Sequence, residues 1–203
     1  MSAIYEIDGK RYEREVLPSC ADTEFDRVQK GWYFADRTLK VSIPLAKVTA
    51  DLKKFQRLPI VETEDYKDEI FRIAHESFTR DRRFHVAPKC NQDVSAAMLR
   101  QWVDALGPTF VSLYHDMPVG FLNLKGNAVH LAAVEAKYRM TGAAMGLYAH
   151  AIEISRERGF KTLEGRISSL NMPVMNLYAS FGAQFSEPED VFLRELGSRE
   201  VGK

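Results

Sequence analysis

Hydrophobic and polar positions change period several times along the chain. In "YEIDGKRYEREV" they alternate about Asp8-Gly9, the pattern of two strands joined by a tight turn. "WYFADRTLKVSIPLAKV" is rich in β-branched and aromatic residues and reads as strand to about Pro44, so residues 1–58 are expected to be strands and turns. The period then becomes helical. Ile70, Phe71, Ile73, Ala74 and Phe78 share one face of "ETEDYKDEIFRIAHESF", with acidic residues in its first turn. A polar loop, "RDRRFHVAPKCN", leads to a second helix, "DVSAAMLRQWVDALG", with Asp93 as its cap and Gly107 as its stop.

Strand patterns follow in "TFVSLYH", "VGFLNL" and "AVHLAAV", separated by the turns "DMP" and "KGN". A helix ending at Gly159 carries Ala144, Leu147, Tyr148 and Ala151 as a buried stripe. "KTLEGRIS" reads as a strand. "NMPVMNLYASFG" is a short helix with Asn171 at the N-cap, Pro173 in the first turn, and Val174, Leu177, Tyr178 and Phe181 on one face. "AQF" and "DVFLREL" close the chain as strands. Antiparallel strands running into a β-α-β-α-β tail predict a mixed α/β sheet, not a doubly wound one. The expected division is a small β-rich N-terminal module over residues 1–58 and a main domain over 59–203.

Composition narrows the function. Lys plus Arg and Asp plus Glu both total 28, so the chain lacks the basic footprint of a nucleic-acid binder and the acidity of a polycation binder. Hydrophobic residues make up 45% of the chain, enough to build a core, yet no apolar run is long enough to cross a membrane. The start "MSAIYEIDGK" has no apolar signal region, which points to the cytoplasm and to reduced, structural Cys20 and Cys90. Two cysteines without a CxxC pair make no zinc site, and no metal is expected. Small molecules are the expected ligands.

The stretch "YRMTGAAMGLYAHAI" holds unusually little side chain at a strand-to-helix junction. Two causes fit it: close approach of a pyrophosphate to a helix N-terminus, or tight helix packing. Arg139-Met140-Thr141-Gly142-Ala143-Ala144 matches the pattern Q/R-x-x-G-x-G/A, five residues after the strand "LAAV"; "EGRISSLN" then leads to Asn171, with Tyr178 seven positions later. In these residues, over about 60–196, the chain resembles the GNAT superfamily of acyl-CoA N-acyltransferases.

That resemblance implies a GNAT fold and acetyl-CoA, or a short acyl-CoA, as co-substrate. Its pyrophosphate would meet the backbone N–H groups of Met140, Thr141, Gly142, Ala143, Ala144 and Met145, next to Arg139. Pantetheine would pair with Ala132, Ala133 and Val134 like an added strand, in a slot opened by a bulge. Asn171 would contact the CoA arm, and Tyr178 would be the general acid for the leaving thiolate; without the resemblance Tyr178 reads as a core aromatic. The general base stays open. Arg166 stands where many members carry a glutamate, and Glu164 shares its strand face. His130 is expected on the same face as Ala132 and Val134. Asp81, Arg83 and His85 lie in the loop that commonly borders the acceptor.

A narrower likeness concerns that acceptor. "FTRDRRFHVAPKCNQDVSAAMLRQWVDAL", "GWYFADRTLKVSIPL" and "YASFGA" are similar to segments of nucleotide-sugar N-acetyltransferases of the dTDP-fucosamine type. They imply a dTDP- or UDP-linked amino sugar as the amine, with Arg80, Arg82 and Arg83 able to meet a diphosphate. Other small-molecule or peptide amines stay open. So does a non-catalytic acyl-CoA sensor, and a homodimer is among the oligomeric states allowed.

Overall fold

The computed structural model describes residues 2–7, 10–78 and 92–198. Among them one nine-stranded sheet carries helices on both faces. The strands are β1 (Ser2–Ile7), β2 (Lys10–Pro18), β3 (Tyr33–Pro44), β4 (Ile60–Thr63), β5 (Thr109–Tyr114), β6 (Met117–Lys125), β7 (Ala128–Val134), β8 (Thr162–Ser168) and β9 (Gln184–Ser198). The helices are α1 (Ala21–Gln29), α2 (Lys67–Ser77), α3 (Gln92–Asp104), α4 (Ala143–Glu157) and α5 (Met172–Ser180). The sheet order is β1-β2-β9-β3-β8-β7-β6-β5-β4, antiparallel except for β7 beside β8. The expected mixed α/β fold is the one observed.

Alternation along the strands divides the core. Leu122 of β6 and Leu163 of β8 point to α4 and α5, where they meet Leu147, Ile152 and Tyr178. The neighbouring residue on β6, Phe121, points the other way, to Ile70 and Ile73 of α2 and Leu99 and Val103 of α3. Met98 of α3 also reaches Tyr12, Ala35, Val191 and Leu193, so this helix covers the sheet as far as β2 and β9.

The N-terminal residues depart from the expected strands and turns. Residues 21–29 form α1, which turns a polar side inward: Arg27 pairs with Glu15 at 2.9 Å and lies over Trp32, while Phe25 and Val28 stay exposed. Cys20 at the N-cap of α1 is free and exposed, so it packs no core. β3 runs between β8 and β9, antiparallel to both. Other differences are local. β4 precedes α2 where only helix was expected. α3 begins at Gln92, which puts Asp93 inside its first turn. The last two expected strands are one, β9, which passes Pro188 with a shift in its pairing to β3. The Asp8-Gly9 turn and the "RDRRFHVAPKC" segment lie outside the described residues, although Ile7 pairs with Lys10 across the hairpin.

The small residues of α4 have two causes. Gly142 takes φ +87°, a left-handed conformation that glycine adopts without strain, and space around it is open. Gly146 is different: a Cβ there would sit 2.9 Å from the backbone oxygen of Phe55, so the helix packs directly on the chain entering β4. Gly146→Ala is expected to destabilise the fold by about 1–3 kcal/mol through overpacking, read by chemical denaturation. An unchanged midpoint would show that the Phe55 segment yields freely.

Candidate active site

β7 and β8 start side by side and then part. Their parallel pairing holds at Ala128–Glu164 and Val129–Gly165 and stops there. A bulge coincides with the parting. Asn123 of β6 pairs with Leu131 but Leu124 pairs with Val129, so His130 is an extra residue on β7.

The hydrogen-bond alternation shows what the parting exposes. The Glu135 N–H donates to the Val119 carbonyl at 2.9 Å, so alternate residues Ala133 and Leu131 also turn their backbone groups to β6. Ala132 and Val134 therefore aim their N–H and C=O away from β6, toward β8. On the other side, the Ser169 N–H donates to the Arg37 carbonyl at 2.8 Å, which turns the backbone groups of Arg166 and Ser168 toward β7. Above Val129 and Gly165 two rows of peptide groups thus face each other across a slot. Ala133 is not part of it, because its peptide groups serve β6. The Val134 carbonyl accepts the Arg139 Nε–H at 3.1 Å and the Ser77 hydroxyl at 3.4 Å, while Arg139 Nη2 donates to Ser77 Oγ at 3.3 Å.

From β7 the chain turns through a short 3-10 segment, Ala136–Thr141, into α4. Glu135 anchors this passage. It is 9% exposed and paired with Arg72 of α2 at 2.5 Å and Lys137 at 3.3 Å. Burial pushes its pKa up, but the hydrogen bonds from Arg72 and Lys137 outweigh burial and hold it below the ordinary carboxylate value. A cavity of about 380 Å³ lies beside it, lined in part by Tyr66, Glu69 and Asp116. It is on the far side of this anchor and not in the slot.

The first turn of α4 has no acidic residue and no side-chain cap, whereas α2 begins with Asp68 and Glu69. The first N–H groups of α4, from Ala143, Ala144 and Met145, have no acceptor within the helix, and its positive end is uncompensated. Ala143 is buried and Ala144 half-buried, while Thr141 donates its hydroxyl to the Tyr138 carbonyl and Met140 stands almost fully exposed. Helix α5 is capped as expected: Asn171 Oδ1 accepts from the Val174 N–H at 3.4 Å.

Tyr178 is placed by a strand glycine. A Cβ on Gly165 would lie 2.6 Å from the Tyr178 hydroxyl and 3.7 Å from Val129 Cβ, so the hydroxyl rests on the last paired residues below the slot. The side chain is 1% exposed, with its ring edge-on to Tyr148 at 4.9 Å. Burial, with Tyr148 beside it, raises the Tyr178 pKa well above 10, and burial pushes Tyr148 up to about 12. Tyr178 is thus fully protonated at neutral pH.

His130 is not where strand alternation puts it. The bulge turns it to the α2/α3 face, opposite Ala132 and Val134, which pack with the α4/α5 core. Its ring stacks on Trp102 of α3, centroids 6.3 Å apart and planes at 15°. Burial first, then the charge of Lys125, lowers its pKa below the ordinary imidazole value. Glu164 and Arg166 also face away from Tyr178, since Leu163 and Ile167 on either side of them belong to the α4/α5 core. Glu164 accepts from the Thr162 hydroxyl at 3.2 Å; Arg166 pairs with Glu189 at 3.1 Å. Asp81, Arg83 and His85 lie outside the described residues. No group of three side chains able to hold a metal occurs among the described residues, and none of their helices is long and apolar enough to cross a membrane.

Two structural contributors escape sequence inspection. Gly165 signals itself only as an isolated glycine in a strand pattern. Asp36 and Ser168, 1% and 7% exposed, tie β3 to the open end of β8: the Ser168 hydroxyl donates to Asp36 Oδ1 at 2.9 Å. Nothing local in the sequence pairs these two.

A mixed sheet parted between two parallel strands, with an uncapped helix N-terminus after the first, is the class of arrangement that the site rests on. Residues 67–183, more than half of the chain, match the acetyltransferase (GNAT) family, and the chain belongs to that family. Among solved structures it is similar to a conserved protein of unknown function from Staphylococcus epidermidis (TM-score 0.62, 11% identity, 95% of this chain and 71% of that one). It is also similar to a GCN5-related N-acetyltransferase from Sphaerobacter thermophilus (0.57, 13%, 93% and 61%) and a GNAT-family acetyltransferase from Colwellia psychrerythraea (0.56, 11%, 90% and 63%). At these identities the likeness is one of fold, and the chain spans less than two thirds of the latter two proteins. No curated protein matches the sequence.

The Gly165–Tyr178 contact gives a direct check. Gly165→Ala is expected to displace the Tyr178 ring and lower stability by about 1–3 kcal/mol in denaturant unfolding. A fully stable Gly165→Ala protein with an unchanged Tyr178 environment by NMR would contradict the placement.

Proposed function

We propose that the protein transfers an acetyl or short acyl group from an acyl-CoA to a primary amine. The observation that carries this is the parting of β7 and β8, which leaves the backbone of Ala132 and Val134 facing that of Arg166 and Ser168. Pantetheine amides suit such an edge as a third strand would. The N–H groups at the start of α4 suit the pyrophosphate, with Gly142 leaving them open. For pantetheine to use the Val134 carbonyl, Arg139 has to release it.

In this mechanism the amine attacks the thioester carbonyl carbon, the C–S bond breaks, and Tyr178 protonates the departing sulfur. Its raised pKa keeps the phenol protonated but reduces the driving force for giving the proton up, so its contribution rests on position. Asn171, at the mouth of the slot beside Ser168, is proposed to meet the CoA arm. The finer proposal for the acceptor is the amine of a dTDP- or UDP-linked amino sugar, supported only by sequence likeness, chiefly of the "RDRRFH" and "RQW" segments.

Asparagine and aspartate both tolerate the left-handed conformation of residue 142 and both cap helices, so Gly142→Asn and Gly142→Asp should fold alike. Only Gly142→Asp sets a charge against the pyrophosphate. Calorimetry with acetyl-CoA is expected to show about tenfold or greater weakening for Gly142→Asp relative to Gly142→Asn, a difference of about 1.4 kcal/mol. Equal affinities would remove the cradle from α4. Thiol release from acetyl-CoA with a panel of amines tests transfer itself: turnover of simple amino acids or polyamines but of no nucleotide-linked amino sugar sinks the finer proposal. Tight binding without turnover of any amine favours a sensor. Tyr178→Phe is expected to lower kcat about 10²-fold or more with CoA affinity kept, and near-normal kcat would return Tyr178 to a packing role.

A further inference from the structure

Tyr178 and His130 lie at the same level of the sheet on opposite sides. The Tyr178 hydroxyl meets Gly165, the strand partner of Val129, from the α4/α5 face. His130 follows Val129 directly and is turned by the bulge to the α2/α3 face, where Trp102 covers part of its ring and the rest is exposed. The foot of the slot, where pairing between β7 and β8 ends, lies between them. A bulge beside a functional cleft commonly re-aims one side chain; without it, His130 would enter the α4/α5 core beside Ala132.

We propose that His130 is the general base of acyl transfer, that Trp102 is a positioning residue holding its ring at the foot of the slot, and that the acceptor amine enters from the α2/α3 face. The assignment rests on the transferase function proposed for this slot. Arg166, on that same face, is already engaged by Glu187 and Glu189, and Glu164 by the Thr162 hydroxyl, which leaves His130 as the neutral nitrogen base nearest the parting among the described residues.

The proton balance limits what His130 does. An imidazole is too weak a base to deprotonate a free alkylammonium, whose pKa lies about four units higher, so the amine reaches the site after losing one proton to water. Once its nitrogen bonds to the carbonyl carbon it becomes strongly acidic, and His130 takes that second proton. The C–S bond then breaks, the sulfur takes the proton of Tyr178, and both side chains return to their starting states by exchange with solvent. The lowered pKa of His130, from partial burial and then Lys125, keeps the ring unprotonated at neutral pH. Lys125 is the charged group that bears on the ring.

The test is steady-state acyl transfer by the full chain, over about pH 5.5 to 9, with the best amine of the panel. His130→Gln is expected to lower kcat about 10²-fold, leave the acetyl-CoA dissociation constant unchanged, and abolish the acidic limb of the kcat profile. Trp102→Ala should shift that limb, and the His130 NMR titration, upward toward the ordinary imidazole value; Trp102→Phe, which keeps a stacking ring in case the alanine variant folds poorly, should shift both less. Unchanged kcat and an intact limb in His130→Gln would overturn the assignment while leaving the transferase in place. A wild-type protein that transfers to no amine would overturn the transferase proposal and this assignment with it.

Discussion

A parallel strand pair that stops pairing after two residues is the constraint on which the rest of the site depends. Backbone N–H and C=O groups lose about 1–3 kcal/mol each when they are desolvated without a partner, so a sheet does not part its inner strands without a substitute for the lost ladder. Here β7 and β8 are both inner strands, with β6 and β3 outside them, and they part after Val129 and Gly165. The edges so created stay wet or take a ligand. Everything near them keeps the parting in place: the His130 bulge bends β7, the Asp36–Ser168 hydrogen bond ties the far end of β8 to β3, and the Arg72–Glu135 pair fixes the end of β7 to α2.

The same geometry gives the two faces of the sheet different surroundings. On the α4/α5 side the surroundings are apolar, and there burial holds Tyr148 and Tyr178 neutral. The α2/α3 side presents His130, Glu164 and Arg166 along the same stretch. Buried, neutral hydroxyls lie in the first environment and ionisable side chains in the second, with the slot between them. β3 contributes by lying against β8: its Lys40 and Thr38 stand opposite Arg166 and Ser168 and complete the polar side.

Much of this was legible in the sequence. Helical periodicity placed the main helices, and apolar β-rich runs between turn residues placed β5 to β8, of which β5 and β6 are buried on both faces. The glycine pattern marked the start of α4, though Gly142 and Gly146 prove to have separate causes, a left-handed turn and backbone contact with Phe55. Asn171 was correctly read as a helix cap. Other features were hidden for physical reasons. α1 turns a polar side inward and leaves Phe25 and Val28 exposed, so no buried apolar face announces it. A one-residue bulge inverts every facing inference across it, which is why His130 was expected on the wrong face. The Asp36–Ser168 and Gly165–Tyr178 contacts join residues far apart in the chain, and nothing in either local stretch announces the other.

Residue-resolved amide hydrogen exchange with and without acetyl-CoA tests the slot most directly. Ala132 and Val134 point into it while their neighbour Ala133 is already bonded to β6, so the alternation is a signature no general stabilisation would mimic. Binding is expected to slow exchange at Ala132 and Val134 and at the first amides of α4, Ala143 and Ala144, with little change at Ala133. Protection that is uniform along β7, or absent from it while acetyl-CoA is demonstrably bound, would show that the ligand does not pair with this edge and would contradict the account.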